Sequence, residues 1–234
     1  MYRGVELTAS LMCVDWLNAG QDLELIEQLG IDLLHVDIID GAFAPDFTMG
    51  SSIVNAIRAS STMTFDYHLM VENPSRIYSS FPFGSEDYIT IHQEASRNLH
   101  RDLVKIRQLG AKVGLALSPA TPLQTLEYVI EDLDMVQIMT VNPGYMGQPI
   151  VPQVFRKIDE LSKLVSKLGL DIKISVDGNV NPQTIPSMVA AGAKSLVLGS
   201  SGLFRKDRPM AESIRLVHEA IDLGLSQRGE ERDV

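Results

Sequence analysis

The 234-residue chain contains one cysteine, Cys13, and one tryptophan, and only 6% of it is aromatic. A single cysteine excludes an intrachain disulfide and a cysteine-built zinc site, and it suits a reducing compartment, so a cytoplasmic location is expected. No segment approaches the ~20 consecutive apolar residues that span a bilayer, and Met1-Tyr2-Arg3-Gly4 leads into no signal-like apolar run. Membrane association is therefore not expected. Positive charge is scarce as well: 20 Lys and Arg against 30 Asp and Glu give a formal net charge of −10. Nucleic acid is excluded as an expected partner, because such a face needs clustered Lys and Arg to displace counterions. An anionic ligand would need local attraction, from backbone N–H groups or a cation, against this overall field. No Gly-x-Gly-x-x-Gly turn follows the first apolar run, which argues against a dinucleotide-binding sheet, and no long linker or low-complexity tract divides the chain.

What is present is a large apolar fraction, 45%, enough for one sizeable core. Short β-rich runs recur at 5–12, 33–39, 64–71, 88–92, 112–118, 135–142, 171–177 and 195–199, with helical stretches between them. Helices carry amphipathic spacing, as in Leu23, Ile26 and Leu29 or Met210, Ile214, Val217 and Ile221. Several end on glycine shortly before a strand: Gly30, Gly110, Gly169 and Gly192. Eight strands separated by helices predict right-handed βαβ units closing into a single (β/α)₈ barrel of the TIM type. Residues 1–226 form the expected barrel domain, and the charged tail 227–234 is expected to fray.

In such a barrel, active groups sit at the C-terminal ends of the strands. The period of two puts His35 and Asp37 on one face of the second run, with Val36 and Ile38 on the other. His68 alternates with Tyr67 and Leu69 near the end of the third, and Asp177 stands opposite Val176 in the seventh. Each alone reads as a hydrogen-bonded structural histidine or a turn aspartate. Together they are two imidazoles and two carboxylates, a mixed N/O set suited to one divalent metal, Zn, Fe, Mn or Co, more than to Ca or Mg. Glycine-rich stretches follow the sixth, seventh and eighth runs: Asn142-Pro143-Gly144-Tyr145-Met146-Gly147-Gln148, Asp177-Gly178-Asn179 and Gly199-Ser200-Ser201-Gly202. Each could be an ordinary tight turn, but barrels commonly hold phosphate on backbone N–H groups after strands seven and eight. His92 and Glu94, at the end of the fourth run, could face the pocket but read more readily as structural hydrogen-bonding residues. Cys13 reads as an inert thiol, and His100 and His218 as surface residues.

These segments, with Ser10-Leu11-Met12, His35-Val36-Asp37-Ile38-Ile39-Asp40-Gly41 and Asp66-Tyr67-His68-Leu69-Met70-Val71, resemble the ribulose-phosphate 3-epimerases and the similar D-allulose-6-phosphate 3-epimerases. The resemblance runs from the first strand to the eighth. It implies a metal held by His35, Asp37, His68 and Asp177, with Asp37 and Asp177 as the acid/base pair on opposite sides of the substrate. It also implies substrate contacts from Ser10, His68, Met70 and Met139. Phosphate would lie on backbone N–H groups of Gly144, Tyr145, Met146, Gly147, Gly178, Asn179, Gly199 and Ser200. The reaction implied is C3 epimerisation of a phosphorylated ketose through a metal-stabilised enediolate. Met12, Met70 and Met139 suit a polarizable, water-excluding wall, and core filling accounts for them equally well. Two positions depart from the family pattern: Ile39 where methionine is usual, and Met146 where glycine or alanine is usual.

Three segments look more like the allulose branch: Ser10-Leu11-Met12-Cys13, Gln148-Pro149 and Ser201-Gly202-Leu203-Phe204. The expected reaction is therefore D-allulose 6-phosphate to D-fructose 6-phosphate, with D-ribulose 5-phosphate to D-xylulose 5-phosphate as the alternative. Rival readings are a metal-free phosphate-binding barrel enzyme and a sugar-phosphate-binding barrel without catalysis. A homodimer or higher homo-oligomer is expected from the resemblance.

Overall fold

The computed structural model describes residues 1–144 and 147–232. Eight strands form the sheet: β1 (Glu6–Ser10), β2 (Leu33–Asp40), β3 (Thr64–Met70), β4 (Tyr88–His92), β5 (Lys112–Leu117), β6 (Met135–Met139), β7 (Lys173–Asp177) and β8 (Ser195–Leu198). Each pairs in parallel with its sequence neighbour, and β1 pairs with both β8 and β2, so the sheet closes on itself. This is the expected single (β/α)₈ barrel.

The helices are α1 (Ala19–Gln28), α2 (Ser51–Ser60), α3 (Leu99–Gln108), α4 (Val154–Leu168), α5 (Ile185–Ala191) and α6 (Met210–Arg232). Their apolar stripes face the sheet; in α4 the buried residues are Val154, Ile158, Leu161 and Val165, which are one helical turn or two apart. The helix-ending glycines at 30, 110, 169 and 192 all have positive φ, as expected. Two crossovers differ from the expected pattern. The β3–β4 connection carries only the 3₁₀ turns Pro74–Arg76 and Tyr78–Ser80, and the β5–β6 connection Leu123–Leu126 and Ile130–Asp132. Prolines 74, 82, 119 and 122 punctuate these segments, and a longer α-helix cannot run through them. The expected tail also differs, because α6 continues to Arg232 and the guanidinium of Arg228 donates to Ser162 Oγ at 3.1 Å. Residues 233 and 234 of the expected tail lie outside the described residues.

Alternation sorts the strand residues. Val36, Ile38, Tyr67 and Leu69 are buried in the layer between sheet and helices, while His35, Asp37, Asp66 and His68 point into the barrel. The interior is unusually polar. At its N-terminal end Glu6 pairs with Lys173 at 2.6 Å and accepts from Ser195 Oγ at 3.1 Å. Below the sheet, Asp87 takes both a forked Arg58 contact at 2.9 Å and the backbone N–H of Phe65 at 2.7 Å. His218 is half-buried rather than free on the surface, because its ring stacks on Tyr2 at 3.8 Å between centroids. Among the described residues no helix is long and apolar enough to cross a membrane.

Candidate active site

The polar residues at the C-terminal end of the barrel are positioned by register. β1 places Ser10 beside His35, and β2 places His35 beside Asp66 and Asp37 beside His68. β6 and β7 place Met139 beside Asp177. A two-residue antiparallel strand, Phe47–Thr48, folds back on the end of β2, and Thr48 Oγ1 donates to the backbone oxygen of Asp37 while accepting from the N–H of Ile39 at 3.1 Å. This clamp fixes the strand end from which Asp37 projects.

The structure brings His35, Asp37, His68 and Asp177 together, with one potential ligand atom from each lying within 4.8 Å of all the others. Nε2 of His35 is 3.1 Å from Asp37 Oδ1 and 3.5 Å from Asp177 Oδ2. Nδ1 of His68 is 3.1 Å from the same Asp37 oxygen and 3.6 Å from Asp177 Oδ2. Ser10 Oγ donates to the other Asp37 oxygen at 3.0 Å, and so turns Oδ1 toward the imidazoles. Behind the cluster, Nδ1 of His35 meets Asp66 Oδ2 at 2.8 Å, and Asp66 Oδ1 accepts from Thr90 Oγ1 at 2.6 Å.

Charge in this cluster is unbalanced. Asp37, Asp66 and Asp177 crowd one buried volume, and among the described residues their only ionic partners are His35 and His68. Burial opposes a proton on His35, but the Asp37 and Asp66 carboxylates outweigh it and hold its pKa well above the ordinary value. Burial likewise opposes ionisation of Asp37, and His35 and His68 outweigh it, so that its pKa is lowered. A proton on His35 thus supplies positive charge that a divalent cation would otherwise supply. The convergent N/O donors and the missing counter-charge together fit such a cation.

Asp37 and Asp177 line a cavity at the barrel mouth together with Ser10, Met12, Met70 and Met139. His35 and His68 lie beneath the carboxylates, fully buried. His68 was expected both as ligand and as substrate contact; its ring lies with the donor cluster and not on the cavity lining. Ile39, in place of the usual methionine, is on that lining and buried. The cavity lining also includes Gly144, Gly147, Gly178, Asn179, Gly199 and Ser200. Gly178 has φ +110°, and a Cβ there would meet Val141 Cγ2 at 2.5 Å, so the loop closes this tightly only with glycine. Tyr145 and Met146 lie outside the described residues. Cys13 also faces the cavity, and burial with the nearby Asp37 charge pushes its thiol up to about 11, which keeps it protonated at neutral pH.

Sequence reasoning missed Asp66, while His92 and Glu94 make structural hydrogen bonds as expected. Burial holds His92 down to about 4, against the pull of Glu94. Its Nε2 is 2.8 Å from Nε2 of His68, and its Nδ1 is 3.2 Å from Glu94 Oε2. For Asp66 a signal existed: it stands two residues before His68 and shares its face.

A closed parallel barrel with a buried His/Asp cluster and glycine loops at one mouth defines a class, the α/β-barrel proteins with a polar site at the C-terminal strand ends. The profile of the "Ribulose-phosphate 3 epimerase family" matches residues 6–204, and the chain belongs to that family. Membership places it among the carbohydrate-phosphate epimerases, which are isomerases. The ribulose-phosphate 3-epimerase of Bacillus subtilis is 39% identical over 210 residues, covering 89% of this chain and 97% of that one. That of Synechocystis is 39% identical over 203 residues, covering 86% and 88%. The one from Escherichia coli K12 is 36% identical over 196 residues, covering 83% and 87%. Among solved structures, 3-keto-L-gulonate-6-phosphate decarboxylase from Vibrio cholerae superposes with a TM-score of 0.67 at 13% identity, covering 93% of this chain and 97% of that one. Phosphoribosyl anthranilate isomerase from Thermus thermophilus does so at 0.62 and 14%, covering 93% and 98%. At such identities these two speak for the fold alone.

Proposed function

We propose that the chain epimerises phosphorylated ketoses at C3 by two-base proton transfer, with Asp37 and Asp177 as the catalytic carboxylates. The observation that carries this reading is the convergence of both carboxylates with two imidazoles at a cavity that glycine loops also line. Inversion beside a ketone needs a proton removed from one face and another delivered to the opposite face. Two carboxylates suffice for that exchange, and the lowered pKa of Asp37 keeps it ionised. His35, Asp37, His68 and Asp177 would hold one divalent cation, which when bound supplies Lewis-acid stabilisation of the negative charge developing at the substrate's C2 oxygen. Met12, Ile39, Met70 and Met139 exclude water from the reacting carbon. Backbone N–H groups at Gly144 and Gly147, Gly178 and Asn179, and Gly199 and Ser200 receive the phosphate, which offsets the protein's overall negative charge locally.

As substrate, D-ribulose 5-phosphate is supported by the ribulose-phosphate 3-epimerases that are 36 to 39% identical over most of the chain. D-Allulose 6-phosphate, the sequence-based preference, is supported by the local segments at Ser10–Cys13, Gln148-Pro149 and Ser201–Phe204. The sugars differ by one carbon between reacting centre and phosphate, a difference worth ~1–3 kcal/mol in pocket discrimination, so both should react. The deciding experiment incubates purified protein with each sugar in D₂O, before and after chelator treatment. Deuterium at C3, with turnover that disappears on metal removal and returns on adding Zn²⁺, Mn²⁺ or Co²⁺, is expected. Full activity after removal would overturn the metal assignment, and no exchange with either sugar would overturn the epimerase reading.

A further inference from the structure

His92 and Glu94 stand outside the four-residue cluster, yet they are joined to it by a continuous hydrogen-bonded line. Glu94 Oε1 already accepts the N–H of Ser118 at 2.9 Å and the hydroxyl of Thr121. Its Oε2 is 3.2 Å from Nδ1 of His92, and an ionised carboxylate can only accept, so the His92 proton lies on Nδ1. A neutral imidazole has one N–H, which leaves a lone pair on Nε2 of His92. That lone pair is 2.8 Å from Nε2 of His68, so His68 must donate there. With Nε2 of His68 committed to that donation, Nδ1 is the nitrogen left to ligate a cation once it gives up any proton shared with Asp37. That nitrogen faces Asp37 Oδ1 at 3.1 Å and Nε2 of His35 at 3.2 Å, inside the cluster. Phe43 packs on the His92 ring at 4.6 Å between centroids, and both His68 and His92 are fully buried, so water has no place in the line.

His35 shows the same logic by a shorter route. Its outer nitrogen meets the Asp66 carboxylate directly at 2.8 Å. Imidazoles that ligate metals usually donate their other N–H to a carboxylate or carbonyl, which sets tautomer and ring orientation. Here one histidine meets its carboxylate directly and the other reaches it through an intervening imidazole.

We infer that His92 and Glu94 are positioning residues that lock His68 in the Nε2–H tautomer, so that Nδ1 is presented as a lone pair to the cation. The inference rests on the metal reading proposed above. Two measurements on the full chain test it. In protein with ¹⁵N-labelled histidine, long-range ¹H–¹⁵N correlation spectra should show His68 keeping its Nε2 proton both before and after Zn²⁺ is added; an unprotonated Nε2 would overturn the inference even if no variant folds. In the second, Zn²⁺ and Co²⁺ dissociation constants are measured by chelator competition for His92→Phe, which has no acceptor, and His92→Gln, whose carboxamide oxygen can accept. His92→Phe should weaken binding about 10- to 100-fold and alter the visible Co²⁺ spectrum, with His92→Gln recovering to within roughly threefold. A His92→Phe protein with unchanged thermal unfolding and unchanged Zn²⁺ affinity would overturn the inference alone. An unsubstituted protein that binds neither ion would overturn the metal reading together with it.

Discussion

Asp37 and Asp177, from opposite sides of the barrel sequence, aim carboxylate oxygens at the same imidazole nitrogen: Nε2 of His35 lies 3.1 Å from Asp37 Oδ1 and 3.5 Å from Asp177 Oδ2. Both carboxylates also reach the cavity, while the imidazoles stay beneath. If they are the two proton-transfer groups, Asp37→Asn and Asp177→Asn should each lower kcat by roughly 10²- to 10⁴-fold. Because the pair acts as a unit, the double variant should fall little further than the worse single one. Steady-state assays of the three variants check this, and a single variant within tenfold of the parent would remove that residue from the chemistry.

Cation binding should release protons. The Asp37 and Asp66 charges hold the His35 pKa above its ordinary value despite burial, so at neutral pH the metal-free ring carries an extra proton. A metal must displace it, with on the order of one proton released per ion and affinity rising as pH rises. Calorimetric Zn²⁺ titrations at pH 7, in buffers of different ionisation enthalpy, read that number directly. Zero release would mean that His35 is neutral in the metal-free protein.

Gly144 tests the glycine wall. Its φ is +123°, and a Cβ there would meet Pro45 Cδ at 2.7 Å and Ala44 Cβ at 2.9 Å. Gly144→Ala should displace the loop at a cost of about 1–3 kcal/mol. If backbone N–H groups there hold phosphate, KM should rise at least roughly tenfold with kcat changed much less. A variant that lowers kcat alone would place the phosphate elsewhere.

Stability and chemistry should separate at Asp87, far from the cavity. Its carboxylate is 5% exposed and takes the Arg58 guanidinium at 2.9 Å, the latter 24% exposed and lying over the Phe65 ring. Asp87→Ala leaves Nη2 of Arg58 and the Phe65 and Gly84 N–H groups without their acceptor, while Nη1 of Arg58 keeps Met63 O. A loss of about 3 kcal/mol is expected, at the low end for a broken buried pair because Arg58 keeps some solvent. For a chain of this size that corresponds to a Tm lower by roughly 6–12 °C, read by circular dichroism. Epimerase kcat at 25 °C should stay within threefold.

The eight strands were readable because each combines β-branched or apolar residues with a period of two, and the polar exceptions at His35, Asp37, His68 and Asp177 stood out against that period. The two crossovers without α-helix were not readable from amphipathic spacing alone, although their prolines at 74, 82, 119 and 122 mark where a helix must stop. His92 carried too little signal at the sequence level: a lone histidine ending a strand has the same appearance whether it bonds to a loop or to a neighbouring imidazole. Arg228 on the last helix meets Ser162, 66 positions away in sequence, a contact that no local pattern announces.

The sequence by itself determined the class of fold, the set of donor types and the face of each strand on which they project, since alternation and helix spacing are local properties of the chain. Tertiary structure decided which donors meet. Closure of β1 on β8 and the parallel register put Ser10, His35, Asp66 and His68 side by side and bring Asp177 to the same point from the far side of the barrel. Distances of about 3 Å between groups so far apart in sequence depend on strand register and barrel closure, and those are fixed by the packing of the whole molecule.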